Sequence, residues 1–213
     1  MPIVHRNTPS DGTFSLAVWE STEPLDELLA CTPLDEREIL YFQSLRSESR
    51  KREFLTVRHL LSLLCGSNEG IVYNEFGKPA LKSGGFISIT HSKAHIGLIV
   101  SNGNAVGIDL EALRPQITTL APKFISNRER TLFGTSLDEH TMHLIWGAKE
   151  VLFKLYGKGE LDFKKDMEVA PSSTVHLHPI KATLRKNDCI IHAAIHHTVM
   201  NGFMLVWTAL KND

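Results

Sequence analysis

The sequence predicts an α+β protein organised as two comparable halves, residues 1–103 and 104–213. Three observations lead there. Strand-like and helix-like stretches follow one another as β, α, α, β, β and then β, α, α, β, β, β. Asn102-Gly103 and Asn201-Gly202 are tight-turn signals that place hairpins at the end of each half. Ser126-x-x-Glu129 and Ser136-x-x-Glu139 fit the capping box, in which two side chains satisfy free backbone N–H groups at a helix start. No sequence repeat demonstrates the two halves, and 213 residues could equally bury one large core.

Taken in order, residues 14–19 alternate enough for a first strand. Pro24 suits the first turn of a short helix reaching about Ala30. Residues 33–64 read as two helices meeting near Ser47. In the second, Phe54, Val57, Leu61 and Leu64 form one apolar face, and Gly66 can end it. Asn74–Pro79 is a loop carrying Gly77-Lys78-Pro79. Residues 86–91 and 94–101 read as strands, and the strand ending in Glu111 is expected to follow Asn102-Gly103 as a hairpin. The Ser136 box is expected to open the helix bearing Trp146 and Glu150, with Gly157 closing it. Strand-like runs at about 175–185, 189–199 and 203–210 complete the chain.

Apolar residues at 42% and charged residues at 22% are ordinary for a soluble globular protein. The net charge of -1 argues against a nucleic-acid binder, and no run approaches membrane-spanning length. Cys31, Cys65 and Cys189 form no CxxC pair and are expected to be reduced, mostly buried thiols. Together with a start lacking a signal-peptide stretch, they point to a cytoplasmic protein. Residues 20–38 hold seven acids against Arg37 alone, whereas Arg46, Arg50, Lys51, Arg52 and Arg58 follow.

The chemistry concentrates in two segments. Val106-Gly107-Ile108-Asp109-Leu110-Glu111 reads as a buried strand that turns Asp109 and Glu111 to one face. Trp146-Gly147-Ala148-Lys149-Glu150-Val151-Leu152-Phe153-Lys154 reads as a helix on which Glu150 and Lys154 share a face. Three carboxylates and a lysine suit a hard divalent cation and a phosphate chain. Separately, the pairs read as solvated strand-end acids and an exposed i,i+4 pair. Lys78 could meet phosphate as a point charge or simply sit in a turn. Arg58, among apolar neighbours, could seek an anion or snorkel. Thr90-His91-Ser92 could bind a phosphate oxygen or cap a strand end. His176, His178, His192, His196 and His197 read as sheet-surface residues, for no HExxH or Cys partner accompanies them. Met200, Phe203 and Trp207 read as core.

Gly77-Lys78-Pro79, Ile87-Ser88-Ile89-Thr90-His91-Ser92, Gly107-Ile108-Asp109-Leu110-Glu111 and Trp146-x-x-Lys149-Glu150-x-x-x-Lys154, in this order and spacing, resemble the 4'-phosphopantetheinyl transferases. The similarity is to the larger, Sfp-type branch, whose single chain folds as two pseudo-symmetric α+β halves. It runs from about Arg50 to Gly159 and takes in Arg52-Glu53-Phe54-Leu55-x-x-Arg58-x-Leu60-Leu61 and Phe124-x-x-x-x-Glu129. Thr90 stands where serine is usual, and Lys93 where a small residue is common.

The resemblance implies transfer of the phosphopantetheine arm of coenzyme A to a serine of an apo acyl or peptidyl carrier protein, releasing 3',5'-ADP. By that analogy Asp109, Glu111 and Glu150 would hold Mg²⁺ against the pyrophosphate. Arg58, Lys78, Thr90 and His91 would surround the coenzyme A phosphates, with Arg58 and Lys78 nearest the 3'-phosphate. Lys154 would stabilise charge or assist proton transfer, and either Glu150, directly or through a water, or neutral Lys154 would serve as general base. A non-catalytic carrier-protein or coenzyme A binding module of the same fold is the alternative, and a Mg²⁺-dependent phosphohydrolase a third reading. A monomer is expected. An acidic carrier would meet basic residues such as Arg46, Arg50, Lys51 and Lys93.

Overall fold

The computed structural model describes residues 3–66, 69–134, 136–172 and 179–211. Strands β1 (Ile3–Asn7) and β2 (Ser15–Glu20) are followed by helices α1 (Leu25–Cys31), α2 (Glu36–Ser44) and α3 (Glu48–Cys65). Strands β3 (Ile71–Tyr73), β4 (Pro79–Leu81), β5 (Phe86–Ser92) and β6 (His95–Ser101) come next. The pattern then recurs: β7 (Val106–Ala112), helices α4 (Ile117–Phe124), α5 (Asn127–Phe133) and α6 (Glu139–Tyr156), and strands β8 (Met167–Ala170), β9 (Ile180–Lys186), β10 (Cys189–Met200) and β11 (Phe203–Ala209). The architecture is α+β, as the sequence predicts.

The strands form two sheets, ordered β1-β2-β6-β5-β4-β3 and β7-β11-β10-β9-β8, with every pairing antiparallel. Alternation of side chains gives each strand two faces with different duties. In the first sheet Ala17, Trp19, Ile87, Ile96 and Leu98 pack under Val57, Leu60 and Leu61 of α3. Leu16, Val18 and Ile99, on the opposite face, meet Val106, Ile108, Leu110, Phe203, Leu205 and Trp207 of the second sheet. The other face of the second sheet, with Val169, Ile180, Ala182, Ile195 and Val206, is covered by α6 through Leu144, Ala148, Val151 and Leu152. The layers are therefore helices, sheet, sheet, helices. Burial of this many aliphatic side chains, at roughly 1.5–3 kcal/mol each, is what holds them.

Several sequence expectations change. Asn102-Gly103 does not make a hairpin: β7 leaves the first sheet and pairs with β11. Both edges of β6 are taken, by β2 and β5, so β7 joins the second sheet instead, where Ile108 and Leu110 on one side and Asp109 on the other are all buried. The cap of α6 is Asp138, whose carboxylate accepts from Thr141 N at 2.7 Å, not Ser136. A carboxylate at the mouth of the helix satisfies the free N–H with charge assistance, which a hydroxyl further back cannot do. Cys31 and Cys65 are exposed and Cys189 half-buried, because each sits at an element end rather than on an apolar stripe. Strands β1 and β8 escape the sequence reading, and β3 and β4 flank the expected Gly77-Lys78-Pro79 turn.

Several local expectations hold. Ser126 and Glu129 form the capping box of α5, Gly66 and Gly157 end α3 and α6, and Asn201-Gly202 joins β10 to β11. Phe203 and Trp207 are buried, and Met200 packs against their cluster. His192 is exposed on β10, its Nδ1 3.2 Å from Thr183 Oγ1, whereas His176 and His178 lie outside the described residues. No helix among the described residues is long and apolar enough to cross a membrane.

Candidate active site

Strand β7 and helix α6 meet, and close packing of small residues allows it. A Cβ on Gly107 would lie 2.8 Å from Val151 Cγ1, and one on Gly147 would lie 2.7 Å from Val206 Cγ2. With no side chain at either position, α6 settles directly onto β7 and β11. The same contact brings Asp109 under Gly147, where that Cβ would stand 3.6 Å from Asp109 Oδ2.

Asp109 is buried, and its two oxygens differ. Oδ1 accepts from Lys154 Nζ at 2.9 Å and faces Thr90 Oγ1 at 3.4 Å. Oδ2 is buried with no hydrogen-bond partner. A bare carboxylate oxygen in a low-dielectric site is costly unless a cation or donor joins it. Lys154 also donates to Ile108 O at 2.8 Å, so its ammonium spans backbone and carboxylate of the same strand.

Glu150 and Glu111 complete the acidic centre. Burial, then the charge of Asp109, push the Glu150 carboxyl up to about 7; Lys154 opposes this and Glu111 reinforces it. Glu111 is raised by burial and by Asp109, against the pull of Arg114, of a hydrogen bond from the Trp146 side chain, and of Lys154. Each of these carboxyls thus feels the charge of Asp109. Among the described residues no group of three or more His, Cys, Asp or Glu side chains is placed to hold a metal ion. The donor set nonetheless fits a hard divalent cation: all-oxygen ligands, one of them buried and unpartnered.

Of the remaining site residues, all but Thr90 are engaged elsewhere. Arg58 is buried, ion-paired with Glu38 and stacked over Phe54 at 4.7 Å, so the anion it seeks is supplied by α2. Lys78 donates to Leu155 O near the end of α6, and burial lowers its pKa. His91 is exposed, with Nδ1 3.4 Å from Glu53 Oε1. Thr90 is buried and accepts from Leu110 N at 3.0 Å. Of the basic residues beside these, Arg50 pairs with Glu53, while Lys51 and Lys93 lie over Phe42 and Phe203.

Lys149, part of the motif but given no role from sequence, proves structural. Its Nζ donates to Glu129 and to the carbonyls of Phe124, Phe163 and Met167. Glu129 in turn accepts from Ser126 N and Val169 N. The pair ties α4, α5, β8 and the chain after α6 to the helix bearing Glu150. A lysine inside the apolar stripe of Ile145, Ala148 and Leu152 is the signal that marks it.

The site thus sets Asp109, Glu111 and Glu150 with Lys154 between strand β7 and helix α6, a residue set whose chemistry suits a divalent cation and a phosphate chain. Residues 105–209, from the residue before β7 through β11, match the 4'-phosphopantetheinyl transferase superfamily. Among similar proteins is the 4'-phosphopantetheinyl transferase AcpT of Salmonella typhimurium, 31% identical over 115 residues, which are 51% of this chain and 60% of the relative. The 4'-phosphopantetheinyl transferase HetI of Nostoc sp. is 29% identical over 141 residues, 58% of this chain and 59% of the relative. AcpT of Escherichia coli O157:H7 is 30% identical over 115 residues, covering 51% and 59% respectively. The chain thus spans about 60% of the length of the curated relatives it matches.

Proposed function

We propose that the protein transfers the phosphopantetheine arm of coenzyme A to a serine of an apo carrier protein, with Mg²⁺, releasing 3',5'-ADP. The observation that carries this reading is the acidic centre: Asp109 with a bare buried oxygen, Glu111 and Glu150 raised by burial and then by Asp109, and Lys154 at hydrogen-bond distance from Asp109. The relatives' names agree with it.

The chemistry asks for few things. The serine hydroxyl is a weak nucleophile and the pyrophosphate repels it. The serine Oγ–P bond forms as the bond from phosphorus to the departing 3',5'-ADP oxygen breaks, and the serine proton must leave. When bound by Asp109, Glu111 and Glu150, Mg²⁺ would neutralise charge on the pyrophosphate. Lys154 adds a fixed positive charge beside it, held in place by Ile108 O and Asp109. With Ile108 O and Asp109 Oδ1 holding its ammonium, Lys154 suits a charge-stabilising role, and Glu150, directly or through a water, suits the base. His91, exposed, offers a hydrogen-bond donor, whereas Arg58 and Lys78 would exchange Glu38 and Leu155 O for phosphate oxygens. The recurring element order supports reading residues 1–103 and 104–213 as the two halves of the Sfp-type branch; a monomer of the cytoplasm completes the proposal.

The test is a mass-shift assay with coenzyme A, Mg²⁺ and a panel of apo carrier proteins. Wild type is expected to add one phosphopantetheine, and Asp109→Ala to add none. Full labelling by that variant would refute the metal role. Binding without any mass change favours a non-catalytic module, and release of 3',5'-ADP without an acceptor favours a hydrolase.

A further inference from the structure

Strand β7 hydrogen-bonds to β11 along one edge only, which leaves the N–H groups of Ile108, Leu110 and Ala112 aimed at the first sheet. No backbone ladder meets them. Instead, alternate side chains of β5 do: Ser88 Oγ accepts from Ile108 N at 3.2 Å, Thr90 Oγ1 from Leu110 N at 3.0 Å, and Ser92 Oγ from Ala112 N at 3.3 Å. Serine and threonine at every second residue thus make a side-chain ladder between the sheets. All three hydroxyls are buried, where an unmet backbone N–H would be expensive.

The middle rung differs from its neighbours. A hydroxyl that accepts from an N–H keeps one proton to donate. For Thr90 that proton faces Asp109 Oδ1 at 3.4 Å, and no such carboxylate contact is recorded for Ser88 or Ser92. The rotamer of Thr90 is also held: its Cγ2 lies where a Cβ on the cross-strand neighbour Gly97 would sit, 2.8 Å away. Gly97 therefore provides the slot for the methyl, and the methyl fixes the direction of the hydroxyl. With Oδ1 occupied by Thr90 and Lys154, Oδ2 is the oxygen left bare.

We infer that Thr90 is a positioning residue for Asp109, orienting its free oxygen toward the cation, rather than a contact to coenzyme A phosphate. This rests on the proposed function and deepens it. The experiment measures Mn²⁺ binding by electron paramagnetic resonance at fixed coenzyme A, and coenzyme A binding without metal, for wild type and four variants. Thr90→Val is expected to weaken Mn²⁺ binding roughly 10- to 100-fold, the range for losing a partner that orients a metal ligand. Its metal-free affinity for coenzyme A stays at the wild-type value. Thr90→Ser restores the hydroxyl and recovers most of the Mn²⁺ affinity. Ser88→Ala and Ser92→Ala speed amide exchange at Ile108 and Ala112 but bind Mn²⁺ as wild type does. Wild-type Mn²⁺ binding by Thr90→Val, with weakened metal-free coenzyme A binding, makes Thr90 a phosphate contact and overturns the inference. An equal loss of Mn²⁺ in Ser92→Ala overturns it too, because the ladder then acts only by joining the sheets. Failure of wild type to bind Mn²⁺ at all overturns the functional reading, and the inference with it.

Discussion

Replacing Lys149 by methionine should be among the most damaging single changes outside the acidic centre. Lys149 and Glu129 are both 0% exposed, with Nζ 2.7 Å from Oε1. Methionine keeps much of the aliphatic stem but removes the ammonium, leaving a carboxylate with only the Ser126 and Val169 N–H groups beside it. The carbonyls of Phe124, Phe163 and Met167 lose their donor as well. Breaking one partner of a buried pair costs about 3–5 kcal/mol. For a chain of this size each kcal/mol moves the melting temperature by about 2–4 °C, so a fall of roughly 6–20 °C is expected. Thermal and urea unfolding of Lys149→Met, Glu129→Gln and the double variant provide the measurement. The double variant, which no longer buries a lone charge, should show a coupling energy of at least about 1 kcal/mol with respect to the singles. A loss below about 1 kcal/mol in Lys149→Met, or strict additivity, would refute the reasoning that this network carries the helix bearing Glu150.

Three more outcomes follow from the same contacts. The Glu150 carboxyl is raised from 4.5 to about 7, so between those pH values the folded chain holds a proton that the unfolded chain has released. Its contribution is therefore present at acid pH and gone once pH has passed about 7, on the order of 2 kcal/mol after allowing for solvent screening; the melting-temperature profile of Glu150→Gln should lose that slope, and Mg²⁺ should stabilise wild type more at pH 8 than at pH 5.5. Asp138→Ala should destabilise by about 1 kcal/mol in urea through loss of the α6 cap, whereas Ser136→Ala should leave the midpoint unmoved. Gly147→Ala places a methyl 2.7 Å from Val206 Cγ2 and should cost about 1–3 kcal/mol in the same assay while lowering transfer activity, since α6 must lift from β7.

How much of this was legible beforehand depends on how local the cause is. Gly66, Gly157, the Ser126–Glu129 box and the Asn201-Gly202 hairpin act within a few residues, and the sequence shows them directly. Asp109, Glu111, Glu150 and Lys154 were legible because strand and helix periodicities put each pair on one face. The partner of β7 was not, since both edges of β6 are taken by β2 and β5, a property of the whole sheet and not of the turn before β7. Asp138 competed with a well-formed Ser136 pattern, and only the path of the backbone selects between them. The hydroxyls at 88, 90 and 92 were visible as residues, yet their period of two has meaning only once the unpaired edge of β7 lies opposite.

Gly157 carries one more consequence. It closes α6 in the left-handed conformation at φ 62, and the stem of Lys78 rests in the space a side chain there would take. The turn between β3 and β4 is thereby latched onto the helix that bears Glu150, although 77 residues separate Lys78 from Leu155. An anion that drew the ammonium away would unfasten the turn and bare a terminal carbonyl of the helix together. Filling of the cleft and loosening of its wall are in that sense one event, and a substitution at position 157 would dissolve the coupling by evicting the lysine.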